Sequence, residues 1–218
     1  MQSYSTKSGD YFAHARREIE PLLPHECGRV LEIGCGSGAT LGWLKQKYQG
    51  LQAVGLEMVS DAANVAAQYA DSVHCMDIES QPSPHALGHF DLIICLDVLE
   101  HLVDPWVVID RFVKDHLVDG GILILSLPNV RHFSVVLPLL TQGRWDYADD
   151  GVLDRTHLRF FTRRSALKLA ESLGSVDAVH ATGLEKWRKT WWLNFTTLSI
   201  FKSFFEYQYL IRVTKAMS

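Results

Sequence analysis

The chain has 218 residues, of which 47% are hydrophobic and 21% charged, with a formal net charge of −4. This length suits one sizeable domain, and the composition excludes a disordered or fibrous protein. A mildly acidic chain lacks the clustered Lys and Arg that polymeric nucleic acid requires, so no nucleic-acid partner is expected. In chain order, RVLEIG (29–34) is predicted as strand one, followed by a helix over 39–48, strand two QAVGLE (52–57), a helix over 60–70 and strand three SVHCMD (72–77). FDLIICLDV (90–98) is an almost unbroken apolar run, as expected of a central strand covered on both faces.

Asp104 and Pro105 supply an N-cap and a first helical position, and Val108, Phe112 and Leu117 a buried stripe; Gly120 and Gly121 are predicted to end that helix. ILILSLPN (122–129) is strand five, stopped by Pro128. After Thr162 a helix runs to about Leu173, VDAVHAT (176–182) is strand six, and YQYLIRVT (207–214) is the last of seven strands. Alternation of strands and helices points to parallel βαβ units. The connection 130–162 is long enough to read as a functional lid. Cys27, Cys35, Cys75 and Cys95 form no CxxC pair and read as reduced thiols. With no apolar signal core in MQSYSTKSGDYF and no stretch of roughly 18 apolar residues, the expected location is cytoplasmic.

GCGSGA (34–39) is a turn through which backbone can approach a ligand closely. It satisfies the permissive dinucleotide fingerprint, and Glu57 lies where a ribose-binding acid belongs, so on the turn alone a nicotinamide cofactor stays open. Three features argue against it. Glu32 places a carboxylate two residues before Gly34, which suits a cationic cofactor and repels a pyrophosphate. Asp77, Asp97 and Glu100 add acids after strands three and four, and a seventh strand follows strand six.

LEIGCGSG, GLE, CMDIE, LDVLEHL and GGILILSLPN, in this order, resemble class I S-adenosylmethionine-dependent methyltransferases, with the small-molecule enzymes of the ubiquinone-methyltransferase and surface-polysaccharide type as the nearest flavour. The resemblance runs from about Tyr11 to the end of strand six, and LDRTHLRFFT (153–162) is similar to an insertion of those enzymes. It implies an α/β fold: a seven-stranded, mostly parallel Rossmann-like sheet with an antiparallel last strand, helices on both faces and an insertion after strand five. The chain is then one domain, with 1–28 as an N-terminal helical cover and 130–162 and 185–206 as substrate-side insertions. S-adenosyl-L-methionine is the implied cofactor. Glu32, Gly34, Gly36 and Gly38 are implied to shape the methionine site, Glu57 to hold the ribose and Asp77 the adenine, with Met58, Ile78 and Leu96 in the same pocket.

Methyl transfer from a sulfonium needs alignment and, for a hydroxyl acceptor, a base. His101, His132, Asp154 and His157 follow strands four and five, and His101 and His157 are the catalytic candidates. His101 is read either as catalytic or as satisfying the start of the next helix. His157 is read as functional, against an ion-pair and cap network of Asp154, Arg155, His157 and Arg159 that holds the lid. Asp97, Glu100, His101 and a later histidine are also similar to a metal-binding acid-xx-Glu-His arrangement of RNA-terminal methyltransferases, but with Asp first, no second His-rich cluster and no basic face, no metal is expected. Trp191, Phe195, Leu198 and Phe205 share a helical face behind Lys186, Arg188 and Lys189, so 187–206 is read as a lid or dimer face in preference to peripheral membrane contact. The expected function is methylation of oxygen or nitrogen on a sugar, glycan or quinone-like acceptor. A non-catalytic S-adenosylmethionine-binding regulatory module and a nicotinamide oxidoreductase are the alternatives.

Overall fold

The computed structural model describes residues 14–82, 84–183 and 202–217. Seven strands form one sheet: β1 (Arg29–Ile33), β2 (Gln52–Glu57), β3 (Ser72–Cys75), β4 (Phe90–Leu96), β5 (Leu117–Pro128), β6 (Ser175–Thr182) and β7 (Gln208–Thr214). Their order is β3-β2-β1-β4-β5-β7-β6, with β7 antiparallel to both neighbours and the pairings from β3 to β5 parallel. The order reverses between β1 and β4, and in such sheets the crevice beyond the carboxyl ends at the reversal is where ligands bind.

The sheet is covered by α1 (Ala39–Lys47), α2 (Ser60–Ala66), α3 (Pro105–His116) and α5 (Arg163–Glu171); α4 (Phe133–Gln142) and α6 (Lys202–Phe205) stand apart from it. Strand side chains alternate between faces, and two cores follow. Leu31, Ile33, Ile93, Cys95, Leu123 and Leu125 pack with Ile109 and Phe112 of α3 and with Leu169 of α5. Val30, Leu92, Ile94, Ile122 and Ile124 pack with Leu41 and Leu44 of α1 and with Ile19 and Leu22. Those last two belong to a 3₁₀ helix, Arg17–Leu22, the described part of the expected N-terminal cover. Residues 1–13 of that cover, and Trp191, Phe195 and Leu198 of the expected lid or dimer face, lie outside the described residues.

Asp104 caps α3 as expected, accepting from the Val107 N–H at 3.1 Å, with Pro105 at the first position. Asp104→Ala is therefore expected to cost about 1 kcal/mol, read as a lower Tm in thermal melts. The other end of that helix differs from expectation. It stops at His116, and Gly120 and Gly121 lie inside β5, where the register with β4 shifts between Phe90↔Leu117 and Leu92↔Ile122. A Cβ on Gly121 would stand 2.7 Å from the Val118 carbonyl oxygen, so the glycine lets the strand bulge back on itself. The helix ends earlier because Leu117 turns extended and the His116 ring is tied through Nδ1 to the Gly88 carbonyl at 2.8 Å. Helix α2 and strands β3 and β4 also end earlier than expected, at Ala66, Cys75 and Leu96.

The connection 130–162 contains a helix that the sequence reading did not anticipate. His132 starts α4 by accepting from the Ser134 N–H, and Gly143 ends it in the left-handed region. Its first turn meets α6: Asn129 Nδ2 donates to the Ser203 and Glu206 carbonyls, and the Phe133 and Phe205 rings lie 6.1 Å apart. Among the described residues no helix is long and apolar enough to cross a membrane.

Candidate active site

Gly34, Gly36 and Gly38 all have positive φ, at 72°, 54° and 81°. At two of them a side chain also has no room: a Cβ on Gly34 would lie 2.4 Å from Val98 Cγ2, and one on Gly38 2.9 Å from Ala66 Cα. The turn is pinned to β2. Gly34 and Cys35 N–H both donate to the Leu56 carbonyl, and Gly36 N–H donates to Glu57 Oε2 at 2.8 Å. Glu57 also accepts from Val59 N–H at 2.8 Å, so its buried carboxylate is aimed into the turn by two backbone donors. Each of its oxygens keeps acceptor capacity for a hydroxyl.

Glu32, one strand over, is buried, and its Oε2 has no hydrogen-bond partner within the described structure. Burial pushes its carboxyl up to about 8; the Thr40 hydroxyl and Arg16 oppose the rise, and Glu57 adds to it. A buried carboxylate oxygen without a donor is costly, and a cationic ligand group would relieve it. Asp77 stands just past β3, accepting from Glu79 N–H at 2.9 Å and from the Ser80 hydroxyl at 2.8 Å. Burial works against ionisation there, but these two donors outweigh it and hold the carboxyl below its usual value. Ile78 and Leu96 are buried beside these strand ends, while Met58 is half exposed.

Asp97 is the one described non-glycine residue in the left-handed region, at φ 55°. Its N–H donates to Ser126 Oγ at 2.8 Å, and that hydroxyl donates to Asp97 Oδ1 at 2.7 Å. Gln208 of β7 donates to the same carboxylate, and Arg16 pairs with it. Arg16, whose own N–H reaches Thr40 Oγ1 at 3.3 Å, was not singled out in the sequence reading. It brings a cation near Glu32 and Asp97 from a segment with no motif of its own.

On the far side of β4 the 3₁₀ turn Leu99–His101 carries Glu100 and His101. The Glu100 carbonyl accepts from both Leu158 and Arg159 N–H, at 2.8 and 2.9 Å, which draws the insertion 153–162 onto this turn. His101 and His157 come face to edge with ring centroids 4.6 Å apart. His101 does not cap α3; its Nδ1 is directed to the Thr156 carbonyl at 3.1 Å and to Thr156 Oγ1 at 3.0 Å. His157 Nδ1 is directed to the Val152 carbonyl at 3.0 Å. The holding network expected around His157 is present as well: Arg155 pairs with Asp149, Arg159 donates to the Val103 carbonyl, and Asp154 accepts from Thr156. His132 lies elsewhere, stacked between Phe133 and Tyr207.

Glu32, Glu57 and Asp77 thus occupy successive strand ends around a glycine wall. This donor set fits a ligand with a cationic amino-acid end and a neutral nucleoside, and it is unsuited to a pyrophosphate. Fold and crevice together define a domain of the class I S-adenosylmethionine-dependent methyltransferase kind. The chain belongs to the methyltransferase-domain family, whose model matches residues 9–176. Among curated relatives, ubiquinone biosynthesis O-methyltransferase of Psychrobacter cryohalolentis is 29% identical over 161 residues, 66% of this chain and 60% of that protein. Trans-aconitate 2-methyltransferase of Deinococcus radiodurans is 28% identical over 178 residues, 78% of this chain and 66% of that one. The chain spans 45% to 60% of the length of the first three curated relatives it matches. Among solved structures, magnesium protoporphyrin IX methyltransferase from Synechocystis with bound S-adenosylhomocysteine superposes with a TM-score of 0.59 at 17% identity, over 92% of this chain and 78% of that one. A putative methyltransferase in complex with the Haloferax volcanii Trm112 activator gives 0.63 at 15% identity, over 95% and 92%.

Proposed function

We propose that this chain is a single catalytic domain that methylates a hydroxyl oxygen on a small molecule, with sugars, glycans and quinone-like compounds as the acceptor classes. The observation that carries this reading is the partnerless Glu32 oxygen in a glycine-walled, acid-lined crevice, with two imidazoles next to the following strand end. The names of the curated relatives, O-methyltransferases of ubiquinone biosynthesis among them, support oxygen over nitrogen.

S-adenosylmethionine, when bound, supplies an electrophilic methyl on sulfur. Glu32 holds the cationic methionine end, Glu57 the ribose hydroxyls and Asp77 the adenine amino group, with Met58, Ile78 and Leu96 as the pocket's apolar contacts. Gly34, Gly36 and Gly38 keep the wall clear of side chains. His101 and His157 act on the acceptor side, where they orient the hydroxyl and take up its developing proton. The insertion 130–162 covers the acceptor and excludes water.

Calorimetric titration with S-adenosylhomocysteine and with NADH tests the cofactor assignment, and binding of the first alone is expected. Glu57→Ala removes the ribose acceptor and also orphans the Gly36 N–H, so binding should weaken by about 1–3 kcal/mol, roughly 5- to 150-fold. NADH binding without S-adenosylhomocysteine binding would overturn the reading.

A further inference from the structure

We propose that α4 is the contact face of a symmetric dimer, formed with a second copy of this chain and independent of the acceptor chemistry proposed above. Its ten residues, FSVVLPLLTQ, include no charged side chain, and Val135 alone is buried. With about 3.6 residues per turn, Phe133, Val136, Leu137 and Leu140 share one stripe at i, i+3, i+4 and i+7, on the side opposite Val135. Leu137 is 57% exposed and Leu140 76%. A helix on the surface of a globular domain ordinarily turns its apolar stripe to the core, whereas this one turns it outward. An outward stripe of this kind marks a contact surface.

The charges at the two ends of α4 choose the occupant. Ahead of the helix stands Arg131, whose guanidinium lies 4.9 Å from the centre of the Phe204 ring and has no carboxylate paired with it among the described residues. Beyond the helix come Asp146, Asp149 and Asp150. Arg144 pairs with the first and Arg155 with the second, at 3.2 Å, while Asp150 has no ion-pair partner among the described residues. Both charged ends oppose the helix's own dipole, which favours acids at the start and bases at the finish. A second α4 laid antiparallel corrects this, because its acidic end then meets the basic start of the first.

A two-fold axis through the middle of the stripe produces that arrangement. Leu137 of each copy packs against the partner's Leu140, and each Arg131 comes to the partner's 146–150 segment. One patch thus supplies both halves of an isologous interface, apolar at its centre and charged at its rim. A lipid surface is the poorer match. Helices that lie in the membrane interface carry Lys and Arg along a polar face, whereas α4 has neither, and three acids beside it are repelled by anionic headgroups. Because α4 lies in the insertion 130–162, pairing also braces that insertion from outside.

The test is sedimentation velocity of the full chain over about 1 to 200 μM, a span in which mass action displays a weak dimer. A monomer–dimer equilibrium is expected, since one pair of short helices makes a small interface. Leu137→Glu and Leu140→Glu should each raise the dissociation constant by about 10-fold or more, with far-UV circular dichroism unchanged because both positions are exposed. Arg131→Glu should raise it by about 2- to 5-fold. Adding Asp150→Arg to Arg131→Glu should bring it back to the wild-type value, because each copy supplies both partners of the pair. This charge exchange carries the comparison if a leucine variant fails to fold. A chain that stays monomeric throughout, or a dimer indifferent to all of these substitutions, overturns the proposal. So does a monomer that co-sediments with vesicles of phosphatidylcholine and phosphatidylglycerol and loses them in Leu140→Glu, a result that gives the face to lipid.

Discussion

His157→Ala is expected to lower turnover by about 10²- to 10⁴-fold while S-adenosylhomocysteine binds as in the wild type. The separation follows from geometry. Glu32, Glu57 and the glycine wall hang on β1 and β2, whereas His157 arrives from the insertion and is anchored through the Val152 carbonyl. Loss of the imidazole removes the proposed base from the acceptor oxygen and leaves the β1 and β2 residues in place. His101→Ala should behave differently. Its Nδ1 binds Thr156, so removing it loosens the insertion and should lower stability along with turnover. The measurement is labelled-methyl transfer over an array of nucleotide sugars, glycans and quinone precursors, paired with calorimetry. Wild-type turnover by His157→Ala on the true acceptor would reduce the insertion to a passive cover.

Local signals in the sequence were enough to place the glycine turn and the acids at the strand ends. The three glycines declare themselves because their backbone angles exclude side chains, and Asp104–Pro105 and Thr162 mark helix starts through contacts within a few residues. Glu32, Glu57 and Asp77 could be placed because a parallel strand's carboxyl end is fixed once its apolar run is found. What stayed hidden depends on contacts distant in sequence. The end of α3 is set by a side-chain bond to Gly88, 28 positions away, and the two glycines that look like its stop belong to a strand bulge. Helix α4 is masked by FSVVLPLL, whose paired valines read as strand and whose Pro138 reads as a break. Arg16 meets Asp97 across 81 positions, and Thr156 meets His101 across 55. No pattern within one segment announces such pairs. For that reason a sequence reading that weighed Glu100 and His101 together with a later histidine could not say which histidine comes to them.

Glu32→Gln is expected to weaken S-adenosylhomocysteine binding by about 10- to 100-fold, the equivalent of a charge-assisted hydrogen bond of about 1.5–3 kcal/mol, and at the same time to stabilise the cofactor-free protein. Both effects come from one buried carboxyl whose value is pushed up to about 8 from an ordinary 4.5. Between those two values the unfolded chain releases a proton that the folded chain keeps. Stability of the free protein therefore falls as pH rises through this window. Glutamine has no proton to lose, so the variant's advantage should be absent near pH 4.5 and grow to something on the order of 4 kcal/mol by pH 8, the linkage equivalent of the shift. Arg16 is not stranded by the change, because it keeps Asp97 and Glu18. Cofactor binding runs the other way. The cationic amino-acid end needs the ionised carboxylate, so wild-type affinity should climb from pH 6 to pH 8 as less work is spent removing the proton, and the glutamine variant should lack that slope. Calorimetry at pH 6, 7 and 8 with matched thermal melts reads both trends. Equal affinity and equal slope in the two proteins would remove Glu32 from the cofactor site, and the orphaned oxygen would then need another cation to explain it.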